Sequence, residues 1–284
     1  MITVLESIKL STDYLTGKGI ESPRMNAELL LADIIGCKRL ELYLSFDKPL
    51  REVELQKYRE FIRRRGNFEP LQYILGKVEF YGLEFMVNPS VLIPRPETEL
   101  LVECIIGQSN NEKDQSILDI GCGSGNIAVA LAANIEKTKI VATDINEQSI
   151  KMAKHNAEIN NVSEKIEFIC HNILNEDLDV FPVFDVIVSN PPYVSKESFP
   201  TLQKEITGFE PRIAVTDEND GFTFYKVIAN KASSKLKKKG KLFFEIGENQ
   251  SENVIRIMEE NQFIDVHVIK DYENLDRIVY GEIR

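Results

Sequence analysis

Asn190-Pro191-Pro192-Tyr193 follows directly on the apolar run Phe184–Ser189. A buried strand that ends this way places a side-chain amide and unprotected backbone carbonyls at the edge of a sheet. Proline has no N–H, so the turn offers acceptors and little competing donation. Such a corner can hold a planar NH2 group by its hydrogens and leave the nitrogen lone pair free. The matching chemistry is transfer of a group onto an amide or amino nitrogen. Asn-Pro alone is an ordinary turn signal, so the inference needs a second feature.

That feature is a candidate donor site. Ser116–Ile120 reads as a short buried strand, Gly121-Cys122-Gly123-Ser124-Gly125 as a turn, and Asn126–Leu131 as the start of an apolar helix. Strand, glycine turn and helix N-terminus make a nucleotide-binding corner. A dinucleotide site prefers G-x-G-x-x-G; here the third glycine comes one residue early, and no phosphate loop of the G-x-x-x-x-G-K-[ST] type exists. Thr138–Thr143 reads as the next strand, and Asp144 ends it about twenty residues past the turn, where an acid can accept both ribose hydroxyls. A nucleoside without phosphates, such as S-adenosylmethionine, suits this corner better than NAD. Taken alone, Asp144 reads better as a helix N-cap, and a lone glycine turn can be a tight turn without ligand. Three such features on successive strand ends point to a site.

Composition bounds the class. The chain has 284 residues, 43% of them apolar, enough for an α/β domain plus a small one. No stretch approaches the ~20 apolar residues that span a bilayer, and the N-terminus has no basic leader. Cys37, Cys104, Cys122 and Cys170 lie far apart and only three histidines are present. This argues against a disulfide framework or a metal site and for a reducing cytoplasm. Cys122 reads as a small filler of the turn. The net charge is −11. Residues 1–86 carry 13 basic and 13 acidic side chains, so the remainder holds the whole deficit. An acidic catalytic half argues against a nucleic-acid substrate. Two basic runs qualify this. Arg63-Arg64-Arg65 ends a helix, where cations suit the dipole but could also meet a substrate. Lys235, Lys237, Lys238, Lys239 and Lys241 around Gly240 read as a second helix end.

The positioning elements follow from periodicity. Residues 1–75 read as a helical bundle: Val4, Ile8 and Leu15 share a face, Ser22-Pro23 caps a helix that Gly36 ends, and Glu52–Arg65 forms another. Residues 76–92 alternate around Tyr81-Gly82 as a hairpin linker. Residues 93–284 alternate strand and helix, which implies a doubly wound, mostly parallel sheet; Val266–Lys270 and Arg277–Ile283 lack a helix between them and must be antiparallel. Ligands of such sheets lie beyond the C-terminal strand ends, where Gly121–Gly125, Asp144, Asn172 and Asn190 all map.

Over most of its length the chain resembles the release-factor glutamine methyltransferases (the PrmC/HemK family). The resemblance runs through Pro70-Leu71-Gln72-Tyr73-Ile74-Leu75-Gly76, Leu92-Ile93-Pro94-Arg95-Pro96-Glu97-Thr98-Glu99, Leu118–Gly125, Asn190–Tyr193, Glu210-Pro211-Arg212 and Glu245-Ile246-Gly247. It implies a class I methyltransferase fold, S-adenosyl-L-methionine as donor, and as acceptor the glutamine of a Gly-Gly-Gln motif in peptide chain release factors. It further implies that Gly121, Cys122, Gly123, Ser124 and Gly125 wrap the methionine and ribose, that Asp144 holds the ribose hydroxyls, and that Asn172 and Ile173 flank the adenine. The family often has an acid and an aromatic at these last two places, so Asn172-Ile173 departs from its pattern. Asn190, Pro191, Pro192 and Tyr193 become the catalytic group, with Asn190 also bordering the cofactor. A monomer whose helical domain grips the release factor is expected, with no membrane or nucleic-acid partner. Physically, accepting both amide hydrogens at Asn190 and the Pro191 carbonyl weakens amide resonance and aims the nitrogen at the methyl group. No strong base is visible, so the proton would leave late, to Asn190 or water. The same clamp would serve adenine N6 on a flipped base or a ribosomal-protein glutamine. The remaining alternative is a non-catalytic S-adenosylmethionine-binding module.

Overall fold

In the computed structural model residues 2–109 and 113–284 are described; Met1, at the head of the stretch read for a basic leader, lies outside them. By its contacts the chain forms two units: residues 1–77 with 203–209, and residues 78–202 with 210–284. A linear division at residue 75 misses the return of 203–209, a short polar segment with no periodicity of its own.

The first unit packs α1 (Val4–Gly17), α2 (Pro23–Ile35), α3 (Glu52–Gly66) and α4 (Leu71–Leu75) around a core that includes Leu15, Leu30, Leu31 and Tyr58. A capping box starts α1: the Glu6 N–H donates to the Thr3 hydroxyl, and the Thr3 N–H to the Glu6 carboxylate. Ser22 does not cap α2 through its side chain. It sits at φ 47°, and Asn26 Nδ2 donates instead to the Glu21 and Ser22 carbonyls. Pro23 opens α2, and Gly36 closes it at φ 75°. The arginine run divides by role. Arg64 pairs with Glu69. Arg65 is 6% exposed and donates to Asn26 Oδ1 (2.7 Å), the Glu69 carbonyl (3.1 Å) and Glu205 Oε1 (2.9 Å). Arg65 is therefore spent on the unit's own fold, and Glu205 lies in the returning segment α8 (Lys204–Phe209). Arg65→Ala should destabilise this unit by about 3 kcal/mol, since it strips two side chains and a carbonyl of their buried donor. Denaturant titration of the variant measures it; a midpoint equal to wild type would refute the assignment.

The second unit opens with a hairpin, β1 (Lys77–Phe80) and β2 (Leu83–Met86). Tyr81 at φ 51° and Gly82 at φ 72° form a turn with both central residues left-handed, which matches strand twist. Next come α5 (Pro96–Gln108), β3 (Gln115–Ile120), α6 (Asn126–Asn134), β4 (Thr138–Asp144), α7 (Glu147–Ile159), β5 (Ile166–Cys170), β6 (Phe184–Ser189), α9 (Arg212–Val215), α10 (Thr223–Ala232), β7 (Leu236–Glu245), α11 (Ser251–Glu260), β8 (Phe263–Lys270) and β9 (Asp276–Ile283). The sheet order is β5-β4-β3-β6-β7-β9-β8. The first five strands run parallel, and β9 pairs antiparallel with both β7 and β8. Two apolar layers cover its faces, one built around α6 with Leu131 and Val129, the other around α10 and α11 with Tyr225 and Met258. This is the doubly wound sheet with an antiparallel C-terminal hairpin that the periodicity implies.

The lysine run is not a helix end. α10 stops at Ala232, and β7 begins at Leu236 with Lys237–Lys239 inside it. The pairing with β6 jumps from Phe184↔Leu236 to Val186↔Lys241, a bulge. Gly240 permits it, because a Cβ there would lie 2.8 Å from the Lys237 carbonyl oxygen. Lys237 then reaches Asp185 (2.7 Å) and Lys241 reaches Gln108 (2.6 Å). Among the described residues no helix is long and apolar enough to cross a membrane.

Candidate active site

Strand register brings the expected residues to one edge. β3 and β4 pair through Ile120↔Thr143, β4 and β5 through Asp144↔Cys170, and the Ser189 hydroxyl at the end of β6 donates to the Ile120 carbonyl at 2.7 Å. The glycine turn leaves β3 at that edge. The N–H groups of Gly121 and Cys122 both donate to the Thr143 carbonyl at 2.8 Å. Gly121, Gly123 and Gly125 all have positive φ (78°, 54°, 80°), which L side chains rarely adopt. Gly125 is also a close approach, since a Cβ would lie 2.9 Å from that of Ala153 on α7.

Asp144 locks the turn. One carboxylate oxygen accepts the Gly123 N–H (2.9 Å) and the other the Asn146 N–H (2.8 Å). Burial raises the Asp144 carboxyl above its usual range, and these two N–H groups oppose the rise. The N-cap of α7 is Asn146 rather than Asp144. The thiol of Cys122 is buried in the core, which pushes it far above the ordinary thiol range. This fits the reading of Cys122 as a small filler, its N–H bonded to the Thr143 carbonyl. Ser124 is buried; its carbonyl accepts from Asn156 of α7 at 2.9 Å. Asn156 also exchanges bonds with the Met86 N–H and carbonyl, so one buried amide ties the hairpin to the glycine turn. Asn172 lies two residues beyond β5, whose last residue pairs with Asp144. Its Oδ1 accepts the Leu174 N–H (3.0 Å), while Ile173 is buried in the α10-side core. Asp119 is fully buried beneath the turn with neither carboxylate oxygen hydrogen-bonded. Burial pushes it up to about 7, and the nearby Asp144 carboxylate adds to the rise.

The second corner lies at the ends of β6 and β7, adjacent strands paired through Ser189↔Phe244. Asn190 Nδ2 donates to the Thr98 hydroxyl oxygen at 3.2 Å. Thr98 is in the first turn of α5, and Pro96 starts that helix. Arg95, held between two prolines, donates to Glu210 Oε1 (2.5 Å), and the buried Glu210 also accepts the Ile93 N–H (3.3 Å). The rigid Pro94-Arg95-Pro96 thus anchors the approach to Thr98. Tyr193 is clamped from behind: Gln250 Nε2 donates to its carbonyl (3.0 Å), and Gly221 and Gly247 lie so near that an added Cβ would meet the Tyr193 carbonyl oxygen at 2.5 Å and its ring at 3.0 Å, respectively. Burial lifts the Tyr193 hydroxyl to about 12, so it stays neutral.

Glu245, in the Glu245-Ile246-Gly247 stretch of the family resemblance, lies beside this corner although the sequence assigns it no role. It ends β7, is 2% exposed, and its Oε2 has no hydrogen-bond partner. Burial raises it to about 7, opposed by the Thr98 hydroxyl, by Arg277 and by the Asn190 amide. In sequence it looks like the last residue of a buried strand. Only the adjacency of β6 and β7 places an acid behind Asn190. Among the described residues no group of three or more His, Cys, Asp or Glu side chains is placed to hold a metal ion.

Residues 6–76 match the PrmC N-terminal domain family, and residues 96–207 the methyltransferase small domain family. A release factor glutamine methyltransferase of Fusobacterium nucleatum subsp. nucleatum is 40% identical over 279 residues, covering 98% of this chain and 78% of that protein. The chain belongs to the release factor glutamine methyltransferase family. A second relative of that name, from Chlorobaculum tepidum, is 39% identical over 282 residues, covering 97% of this chain and 95% of that protein. Among solved structures, the hMettl16 catalytic domain bound to a MAT2A 3'UTR hairpin aligns with a TM-score of 0.58 at 18% identity, over 77% of this chain and 84% of that one. A Pyrococcus furiosus methyltransferase aligns at 0.51 and 18%, over 72% and 90%. These two likenesses concern the fold, that of class I methyltransferases. This family member is an S-adenosyl-L-methionine-dependent methyltransferase.

The buried acid makes the enzyme's stability depend on pH. A carboxyl raised in the folded state binds its proton more tightly there than in the unfolded chain. Its destabilising effect is absent below the unfolded value, grows as pH rises from there, and is complete above the folded one. With Glu245 near 7 when folded, Glu245→Gln should gain about 2 kcal/mol more stability at pH 8 than at pH 5. Urea titrations at the two pH values test this; an equal effect at both would contradict it.

Proposed function

We propose that the enzyme transfers the methyl group of S-adenosyl-L-methionine to the side-chain amide nitrogen of the glutamine in the Gly-Gly-Gln motif of peptide chain release factors. The observation that carries this reading is the polarity of the β6 corner. Asn190 gives its NH2 to Thr98, so Oδ1 is the end of the amide left to accept from a substrate, and the Pro191 carbonyl is the second acceptor in this reading. A carboxamide NH2 has two donors to satisfy and fits that pair. The relatives' shared name supplies the substrate class.

The residues present fit the donor. Gly121–Gly125 present a turn with a side-chain-free face, since a Cβ at Gly121 or Gly123 would meet nothing within 4 Å. Each Asp144 oxygen has spent one acceptor site on the turn and keeps another for a ribose hydroxyl. The unpaired Asp119 carboxyl beneath the turn suits a cationic ligand above it. Asn172 flanks the adenine side; Ile173 contributes little exposed surface there. When bound, S-adenosyl-L-methionine supplies a methyl group already activated on a sulfonium. The protein's share is positioning: Asn190 Oδ1 and the Pro191 carbonyl hold both N–H bonds, Pro192 fixes the turn, and Tyr193 packs over the amide plane. As the N–C bond forms, the S–C bond to the donor would break and leave a neutral thioether, and the proton lost from nitrogen would leave afterwards, to Asn190 or water.

The helical unit, which lacks the acidic excess of the rest of the chain, is the release-factor grip in this reading. The acidic remainder disfavours nucleic acid as substrate. A cytoplasmic monomer is the accompanying proposal. Mass spectrometry of purified release factor after incubation with the enzyme and S-adenosyl-L-methionine tests the reading, with duplex and single-stranded nucleic acid incubated in parallel. One added methyl on the Gly-Gly-Gln glutamine is expected. Methylation of nucleic acid alone would overturn it.

A further inference from the structure

A side-chain amide is nearly symmetric in shape, yet its two ends have opposite hydrogen-bonding character. The orientation of Asn190 therefore decides whether the β6 corner accepts or donates. Turned the other way, it would present an NH2 to the substrate NH2, and the clamp would fail. Something behind Asn190 must select the orientation.

Two groups stand there. The Thr98 hydroxyl oxygen takes a hydrogen from Asn190 Nδ2 at 3.2 Å. Glu245 follows Phe244, the partner of Ser189 across β6 and β7, so it ends its strand beside Asn190; it is buried, with Oε2 unpaired. Burying a carboxyl with an orphaned oxygen is costly, and fold stability alone gives no reason to keep one at a strand end where an apolar residue would pack. We propose that Glu245, with Thr98, is a positioning residue that fixes the Asn190 amide with its NH2 inward, so that Oδ1 is the acceptor presented to the substrate nitrogen. A carboxyl suits the task because it presents an acceptor to the inward NH2 whether or not it carries a proton. The inference rests on the proposed glutamine-amide chemistry at Asn190.

The test is a donor–acceptor swap read by kcat and by the affinity for S-adenosyl-L-methionine. Glu245→Leu keeps bulk but removes the acceptor; kcat should fall on the order of 100-fold, with little change in cofactor affinity. Glu245→Gln can still turn an oxygen toward Asn190 and should retain about ten times the rate of Glu245→Leu or more. Asn190→Asp places two carboxyls face to face and should be inactive. Adding Glu245→Gln to it supplies an inward donor for the introduced carboxylate and should restore the rate about tenfold over Asn190→Asp alone. A double variant no faster than Asn190→Asp, or equal rates for Glu245→Leu and Glu245→Gln, would overturn the proposal. Full activity of Asn190→Ala would instead remove the underlying reading, so the two failures are distinct.

Discussion

Asn190→Ala is expected to lower kcat for release factor by two to three orders of magnitude, roughly the loss on deleting one preorganised hydrogen-bonding group at a reacting centre. The effect is large because the acceptor nitrogen is poor: its lone pair is shared with its carbonyl, and only a grip on both hydrogens localises it. Without Oδ1, the Pro191 carbonyl can hold one hydrogen and the amide can rotate. The fold should tolerate the change. Asn190 is half-buried and its amide makes one side-chain hydrogen bond, to Thr98 at 3.2 Å. Cofactor affinity should change little, because the ribose and methionine contacts lie on β3 and β4. Single-turnover kinetics with isotopically labelled methyl donor measures the loss. Near-normal transfer with the cofactor bound would mean that Asn190 is only a turn residue.

Asp144→Ala should weaken S-adenosyl-L-methionine binding on the order of 100-fold, about 3 kcal/mol, as two hydrogen bonds to a charged group are lost. A second cost adds to this. The Gly123 N–H now donates to Asp144 at 2.9 Å, and without that partner a left-handed glycine turn has less to hold its shape. Acidification should mimic the variant. The Asp144 carboxyl lies above the usual range, so affinity should decline on lowering the pH before an ordinary exposed aspartate would protonate. Titration calorimetry of wild type and variant across pH measures both effects; an affinity within a few-fold of wild type would separate Asp144 from the ribose.

The sequence made the parallel half of the fold legible because each of those strands is a short apolar run ended by a turn residue. Ile166–Cys170 and Phe184–Ser189 carry that signal cleanly, and the ends of such strands mark the site. What stayed hidden depends on neighbours far apart in the chain. Thr98 and Asn190 are 92 residues apart, and Glu245 joins them only because β7 lies beside β6. Asn156 looks like an ordinary helix residue until α7 packs on the glycine turn. The lysine run is misleading because charge near Gly240 imitates a helix end, whereas the bulge and the partners Asp185 and Gln108 make it a strand. Residues 203–209 return to the helical unit through Arg65 and Glu205, a tie that no local pattern encodes.

The most direct measurement is a structure of the enzyme with S-adenosylhomocysteine and a peptide containing Gly-Gly-Gln. The glutamine carboxamide should lie at the β6 corner, its nitrogen within hydrogen-bonding distance of both Asn190 Oδ1 and the Pro191 carbonyl and facing the sulfur. A glutamine seated elsewhere, or an Asn190 amide turned with its nitrogen toward the substrate, would contradict it.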